Sequence, residues 1–316
     1  MIDIMAKKNY FFAVPIIILI VALVIFLAKG IIVDIQFQGG TIIEMEMQDS
    51  NFDPNEIGAV LNKNLNRVIS AQKVETYNPE EESDKLSILM LKIPEENLSD
   101  EEINSIIELL TKEYNAKRVY RMQNVEPFIA NETKQKGIRA VTIASALILV
   151  YIWWRFSTIS GLPAGVAALI ALIHDTLMIL AAYIIFRIPI NESFVAAVLT
   201  ILGYSINDTI IIYDRIRENS KRMGGMSLRE LSNISIKQTL SRTINTSLTT
   251  LIAILTVYIF ASLNNIESIK DFTFPLIIGT ISGVYSTLFI AIPLWVMWKE
   301  REARRKIEAK PTKARG

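Results

Sequence analysis

The 316-residue sequence contains no cysteine and a single histidine, His174. Without thiols there is neither a disulfide framework nor a thiolate metal site, and cysteine usage says nothing of the redox compartment. One histidine beside one carboxylate does not complete a metal shell, so no metal site is expected. Phosphate-cradling and hydrolytic patterns are missing too. Gly39-Gly40 is not followed by a Gly-Lys-Ser/Thr loop, no HExxH pair occurs, and no serine sits in a nucleophile elbow. The chain therefore reads as a non-enzyme with no cofactor, and any work it does draws on an outside source. A proton crossing 100 mV releases about 2.3 kcal/mol, to which a pH gradient adds. Basic residues gather at the flanks of apolar blocks and in the tail. Membrane lipid explains that placement, and a nucleic-acid partner is disfavoured.

Hydrophobic residues make up 51% of the chain, and their distribution matters more than their number. They fall in runs near or beyond the roughly 18 to 20 residues that cross a bilayer. Six spans fit, at about 10–28, 138–154, 162–186, 193–213, 241–261 and 272–298. The first is too long for a signal-peptide core and lacks a small-residue cleavage site before Lys29 and Gly30, so it reads as a retained anchor. Lys7 and Lys8, the loop basics Arg215, Arg217, Lys221, Arg222 and Arg229, and the basic tail place both termini in the cytoplasm. Lys134, Lys136 and Arg139 fall outside in this topology and are read as interfacial, snorkelling residues. The expected organisation is an N-terminus and first helix over 1–30, an extracytoplasmic domain over 31–136, five helices over 137–298 with a cytoplasmic loop at 214–240, and a basic tail over 299–316.

Residues 31–126 carry 19 acidic against 9 basic side chains, the signature of a separate, water-exposed unit. A half-buried strand is expected over 31–47, with Gly39 and Gly40 marking a bulge or bend. Asp53, Pro54 and Glu56 open a helix to about Arg67. Strands near 68–77 and 85–93 follow, then a helix capped by Ser99 and Glu102 through Tyr114, and a last strand over 117–122. The order βαββαβ is a ferredoxin-like plan, a fold that specifies no chemistry by itself. In the cytoplasmic loop, Gly224 and Gly225 break the chain. Ser227 with Glu230 then caps a helix from Leu228, which serves either simple re-entry or regulation.

Ionisable groups at bilayer depth cost several kcal/mol unless they face protein, a partner charge or water. Thr200, Tyr204, Asn207 and Asp208 in the fourth span, and Arg242, Asn245, Thr246, Thr249 and Thr250 in the fifth, fall at three- and four-residue spacings. The two stripes are expected to face each other, with Asp208 paired to Arg242. One reading makes Asp208 a proton carrier whose affinity Arg242 sets; the other makes the pair a structural tie between helices. His174 and Asp175 lie mid-way along the third span, point about 100° apart, and stand open between a structural hydrogen-bonding role and a proton relay. Gly279, Ser282, Gly283 and Ser286 in the last span, and Gly161, Ala164, Gly165 and Ala168 in the third, read as close-packing surfaces.

The run Gly203-Tyr204-Ser205-Ile206-Asn207-Asp208-Thr209, continuing into Asp214-Arg215-Ile216-Arg217-Glu218-Asn219, resembles a signature of the bacterial SecF family. So do Gln238 to Thr250, the His174-Asp175 pair and Phe37-Gln38-Gly39-Gly40-Thr41. The family's glycine and aspartate ahead of that last element are replaced here by Asp34 and Gln36. The resemblance covers nearly the whole chain in order. It implies the RND-like superfamily, a polytopic helical membrane protein forming half of a twelve-span unit whose other half is SecD. It also implies association with the SecYEG channel, contact with the translocating preprotein, and proton flux through Asp208 and Arg242 coupled to movement of external domains. The short N-terminus from Met1 suggests that SecD is a separate chain. The competing class is an autonomous proton-coupled exporter of small molecules or lipids, and a third is a passive scaffold for the channel.

Overall fold

The computed structural model describes residues 8–65, 69–77, 85–94, 98–157, 161–264 and 266–308. Lys7, the junction at Arg67 and Val68, and the tail beyond 308 lie outside them.

The chain enters as a helix, α1 (Lys8–Lys29), with Pro15 inside it. A strand was expected directly afterwards, but the first four residues of regular structure form a helical turn, α2 (Ile35–Gln38). Asp34 is the reason: its carboxylate accepts the Gln36 amide as an N-cap, and Gly39, at φ 87°, ends the turn. Strand β1 (Gly40–Met47) begins only there. It is followed by α3 (Pro54–Leu65), β2 (Ser70–Tyr77), β3 (Lys85–Ile93), α4 (Asp100–Glu113) and β4 (Ala116–Val125). The strands form one antiparallel sheet in the order β2-β3-β1-β4, the split arrangement of a ferredoxin-like fold. Ile43, Met45, Leu89 and Leu91 from the sheet meet Ile57 and Leu61 of α3 and Ile106 and Leu110 of α4 in a core closed to solvent. Ser99 and Glu102 cap α4 reciprocally. Asp53 Oδ1 accepts the Asn55 amide at 2.8 Å where α3 starts.

Among the described residues, six segments are long and apolar enough to span a membrane. Besides α1 they are α5 (Pro127–Arg155), α6 (Gly161–Phe186), α7 (Glu192–Arg222), α8 (Leu228–Leu263), and a last span made of α9 (Glu267–Ser286), a π-helical turn (Thr287–Ala291) and α10 (Ile292–Glu308). Several outrun the apolar runs that announce them. The 31 residues of α7 reach roughly 46 Å at 1.5 Å per residue, against a hydrocarbon core of about 30 Å. The expected loop at 214–240 is accordingly a helical hairpin. Only Met223 to Ser227 interrupt it, with Gly225 at φ 91°, and Ser227 and Glu230 form the capping box that starts α8. Helix α5 likewise begins at Pro127, so Lys134, Lys136 and Arg139 lie on its first turns rather than ahead of it.

Spans α6, α7 and the last one form the buried centre, while α1, α5 and α8 are peripheral. Glycines permit the tightest crossing: a Cβ on Gly279 would lie 2.4 Å from Ile201 Cγ1 of α7, and one on Gly283 would lie 3.1 Å from Ser205 Cβ. The ferredoxin-like domain is tied to this bundle through its linker. Val33 bridges Ile190 in the α6–α7 loop, Arg187 donates to the Gly30 carbonyl at 2.6 Å, and buried Asp34 pairs with Lys92 of β3 at 2.7 Å. An acid is therefore in use at this point of the chain, as a structural tie.

Candidate functional site

Helix α7 turns Ser205, Asp208, Thr209 and Ile212 inward, at steps of three and four, and leaves Thr200 and Asn207 exposed. Asp208 is only 2% exposed. Its Oδ2 lies 3.5 Å from Ser247 Oγ of α8, and Tyr204 donates its hydroxyl to that same Ser247 oxygen at 3.1 Å.

The two polar stripes do not face each other. The face of α8 set against the bundle carries Thr239, Thr243 and Ser247, four residues apart, while Arg242, Asn245, Thr246 and Thr249 are exposed. The hydroxyls explain part of the difference, because they need no partner helix. Thr246 donates to the Arg242 carbonyl at 2.5 Å, Thr249 to that of Asn245 at 3.0 Å, and Thr250 to that of Thr246 at 2.9 Å. Asn207 and Asn245 have no side-chain hydrogen bond among the described residues. Among the described residues Arg242 makes no ion pair with Asp208. Arg242 instead lines a groove of about 830 Å³ between the ends of α7 and α8, with Asp214, Arg215, Arg217, Glu218 and Lys221.

His174 and Asp175 touch, with Nδ1 3.2 Å from Oδ1, but sit in different surroundings. Asp175 is fully buried and faces α7 and α9. Ser282 donates to its Oδ1 at 2.6 Å, and Ser205 and Ser286 donate to its Oδ2 at 2.7 and 2.8 Å. Ser282 and Ser286 are thus more than small packing residues, a correction to the sequence expectation; the signal available was a pair of hydroxyls four residues apart in an apolar helix. Thr209 and Thr287, 3.0 Å apart, extend the polar seam between α7 and the π-turn. Both hydroxyls also approach the Ser205 carbonyl, at 3.3 and 3.4 Å. Among the described residues no group of three potential ligands could hold a metal ion.

These features define a class: a multi-pass helical membrane protein of six spans, with a ferredoxin-like domain after the first and carboxylates buried in its centre. A family described as "Protein export membrane protein SecD/SecF, C-terminal" matches residues 106–301. The SecF subunit of protein translocase from Desulfurispirillum indicum is 34% identical over 316 residues, covering 97% of this chain and 96% of the relative. That from Alicyclobacillus acidocaldarius is 41% identical over 223 residues, covering 69% and 70%. A crystal structure of SecDF, a translocon-associated membrane protein from Thermus thermophilus, matches with a TM-score of 0.76 and 31% identity, covering 95% of this chain and 39% of that one. SecDF in its super-membrane-facing form matches at 0.70 and 30%, covering 97% and 40%. This chain belongs to the SecD/SecF family. It spans about two-fifths of the length of the SecDF chains it resembles.

Proposed function

We propose that this chain is the SecF-type half of a SecDF-like unit in the bacterial cytoplasmic membrane, a non-enzymatic accessory of the Sec translocase that promotes late preprotein translocation with the proton motive force. The observation that carries the proposal is the outward polar stripe of α8. Arg242, Asn245 and Thr246, with Asn207 of α7, are exposed on this chain along segments apolar enough to span a bilayer. Polar and charged side chains at such depth call for a protein partner or a water-filled path. A second six-span half of SecD type supplies both, and the stripe becomes the lining between the halves.

In that setting Asp208 takes up and releases the proton. Ser247 and Tyr204 form its hydrogen-bonded approach, and Arg242, at the head of the open groove, sets its affinity. Both termini are cytoplasmic, by the bias of Lys and Arg; residues 31–136 lie outside, and 299–316 form the cytoplasmic tail. The docked linker gives the coupling a route, because Val33 and Asp34 join the external domain to the loop from which α7 starts. The working complex includes SecYEG and the emerging preprotein.

The test has two arms. Purification of the tagged chain from its native membrane should recover a SecD-like chain; recovery of none favours a free-standing exporter. In a two-stage export assay, Arg242→Met should slow completion of an arrested preprotein while its initiation stays normal. Normal completion removes Arg242 from the motor.

A further inference from the structure

The cluster around Asp175 is not used by this mechanism. Its Oδ1 accepts from Ser282 and lies 3.2 Å from His174 Nδ1, and its Oδ2 accepts from Ser205 and Ser286. An ionised carboxylate offers about four lone-pair positions and no donor. Three hydroxyls and one ring nitrogen occupy them, so the charged form is fully satisfied without leaving the bundle. An oxygen that only accepts requires Nδ1 of His174 to carry the ring proton, which leaves the lone pair on Nε2.

That second nitrogen is buried and has no hydrogen-bond partner among the described residues, on a side chain only 10% exposed. The ring borders a cavity of about 290 Å³ between α1, α6 and α9, lined also by Val14, Pro15, Ile18, Met178 and Ile278. The ionisable side chains against the ring are Asp175 on its own helix and Tyr285 of α9, whose ring stacks at 6.3 Å and whose hydroxyl is committed to the Phe11 carbonyl. Helix α1 brings only apolar residues to the cavity. An orphaned polar atom of this kind is destabilising unless something enters to meet it; the cavity is otherwise apolar and larger than the roughly 30 Å³ that one water occupies, so the ring nitrogen is the polar group a water there would meet.

We propose that His174 is a second proton-carrying residue of the bundle, distinct from Asp208. A proton from water reaching the cavity adds to the Nε2 lone pair, and the imidazolium formed is paired with the Asp175 carboxylate, so the pair becomes neutral. Release returns the proton to water by the same face. Ser286 immediately precedes the π-turn and Ser282 lies one helical turn before it, so the charge of the pair is read beside the register change of the last span.

The inference extends the proton-driven reading, but its test looks at the ring itself, so either can fail alone. Because the chain has one histidine, nitrogen NMR of the full-length protein with 15N-labelled histidine in lipid bilayers gives one set of ring signals. Between about pH 9 and about pH 4 the ring should pass from a single neutral form protonated on Nδ1 to one protonated on both nitrogens. In Asp175→Asn the neutral ring should lose its single tautomer and show both. A neutral wild-type ring protonated mainly on Nε2, or a ring unchanged across that range, overturns the proposal. If Asp175→Asn fails to fold, the wild-type spectra still decide.

Discussion

Replacing Gly279 by alanine places a methyl carbon 2.4 Å from Ile201 Cγ1, with Cδ1 at 2.8 Å and Cγ2 at 3.0 Å. Carbon atoms settle at about 3.5–4.0 Å, so α9 and α7 must part by about 1 Å or Ile201 must leave its rotamer. Ile201 is 2% exposed and sits in the central core, which leaves it little room to turn. Overpacking of this kind costs about 1–3 kcal/mol. Ile201→Ala alone opens a cavity and costs about 2–5 kcal/mol. In the double variant the new methyl occupies part of the space the isoleucine vacated, so its cost should fall short of the sum of the two single costs by about 1 kcal/mol or more. Unfolding in mixed micelles titrated with SDS and followed by circular dichroism measures all three. Costs that add to within about 0.5 kcal/mol would refute the close crossing of α7 and α9.

Three further outcomes follow from the ferredoxin-like domain and its tie. Gly40→Ala should break the start of β1, since its Cβ would lie 2.3 Å from the Ile93 carbonyl oxygen at a φ of 139°; hydrogen exchange at β3 amides should rise, and unchanged protection would count against it. Burial works to raise the Glu46 carboxyl, but Arg118 and Lys117, at 2.8 and 3.1 Å, hold it below its ordinary 4.5. Its folded value is thus below its unfolded one, so its stabilisation is complete above about pH 4.5 and is lost as pH falls through the folded value. Glu46→Gln should flatten that acid limb of stability, and an unaltered limb would remove Glu46 from it. Asp34→Ala strips a buried partner from Lys92 and a cap from α2. It should destabilise, but less than Lys92→Ala, which leaves the Asp34 carboxylate buried and unpaired at a cost of about 3–5 kcal/mol, whereas the ammonium left by Asp34→Ala is partly exposed; a near-neutral Lys92→Ala in the same unfolding assay would contradict the tie.

Much of this architecture was legible because it follows from short-range patterns. Apolar runs gave the spans, and Ser99 with Glu102 and Ser227 with Glu230 marked helix starts that the coordinates reproduce. The strand expected at 85–93 is β3, Lys85–Ile93. What escaped depends on which neighbour a side chain meets. Helical spacing grouped Arg242 with Asn245 and Thr246, but only packing decides that the adjacent stripe of Thr243 and Ser247 is the one turned inward. Asp175 announced itself as a costly buried charge, while its three serine donors lie 30 to 111 residues away in sequence, and two of them, Ser282 and Ser286, read as packing residues. The turn at Ile35–Gln38 was hidden for the opposite reason, a local one: Asp34 offers the backbone a cap that outcompetes an apolar, strand-like pattern.

The central claim is that proton movement at Asp208 drives late export. Its most direct test is the completion rate of an arrested preprotein in membrane vesicles, measured with and without an imposed proton gradient, for the wild type and for Asp208→Asn in the assembled translocase. The account predicts that the gradient accelerates completion in the wild type and that Asp208→Asn removes this acceleration while leaving the gradient-independent rate intact. Acceleration of Asp208→Asn to the wild-type extent would contradict it.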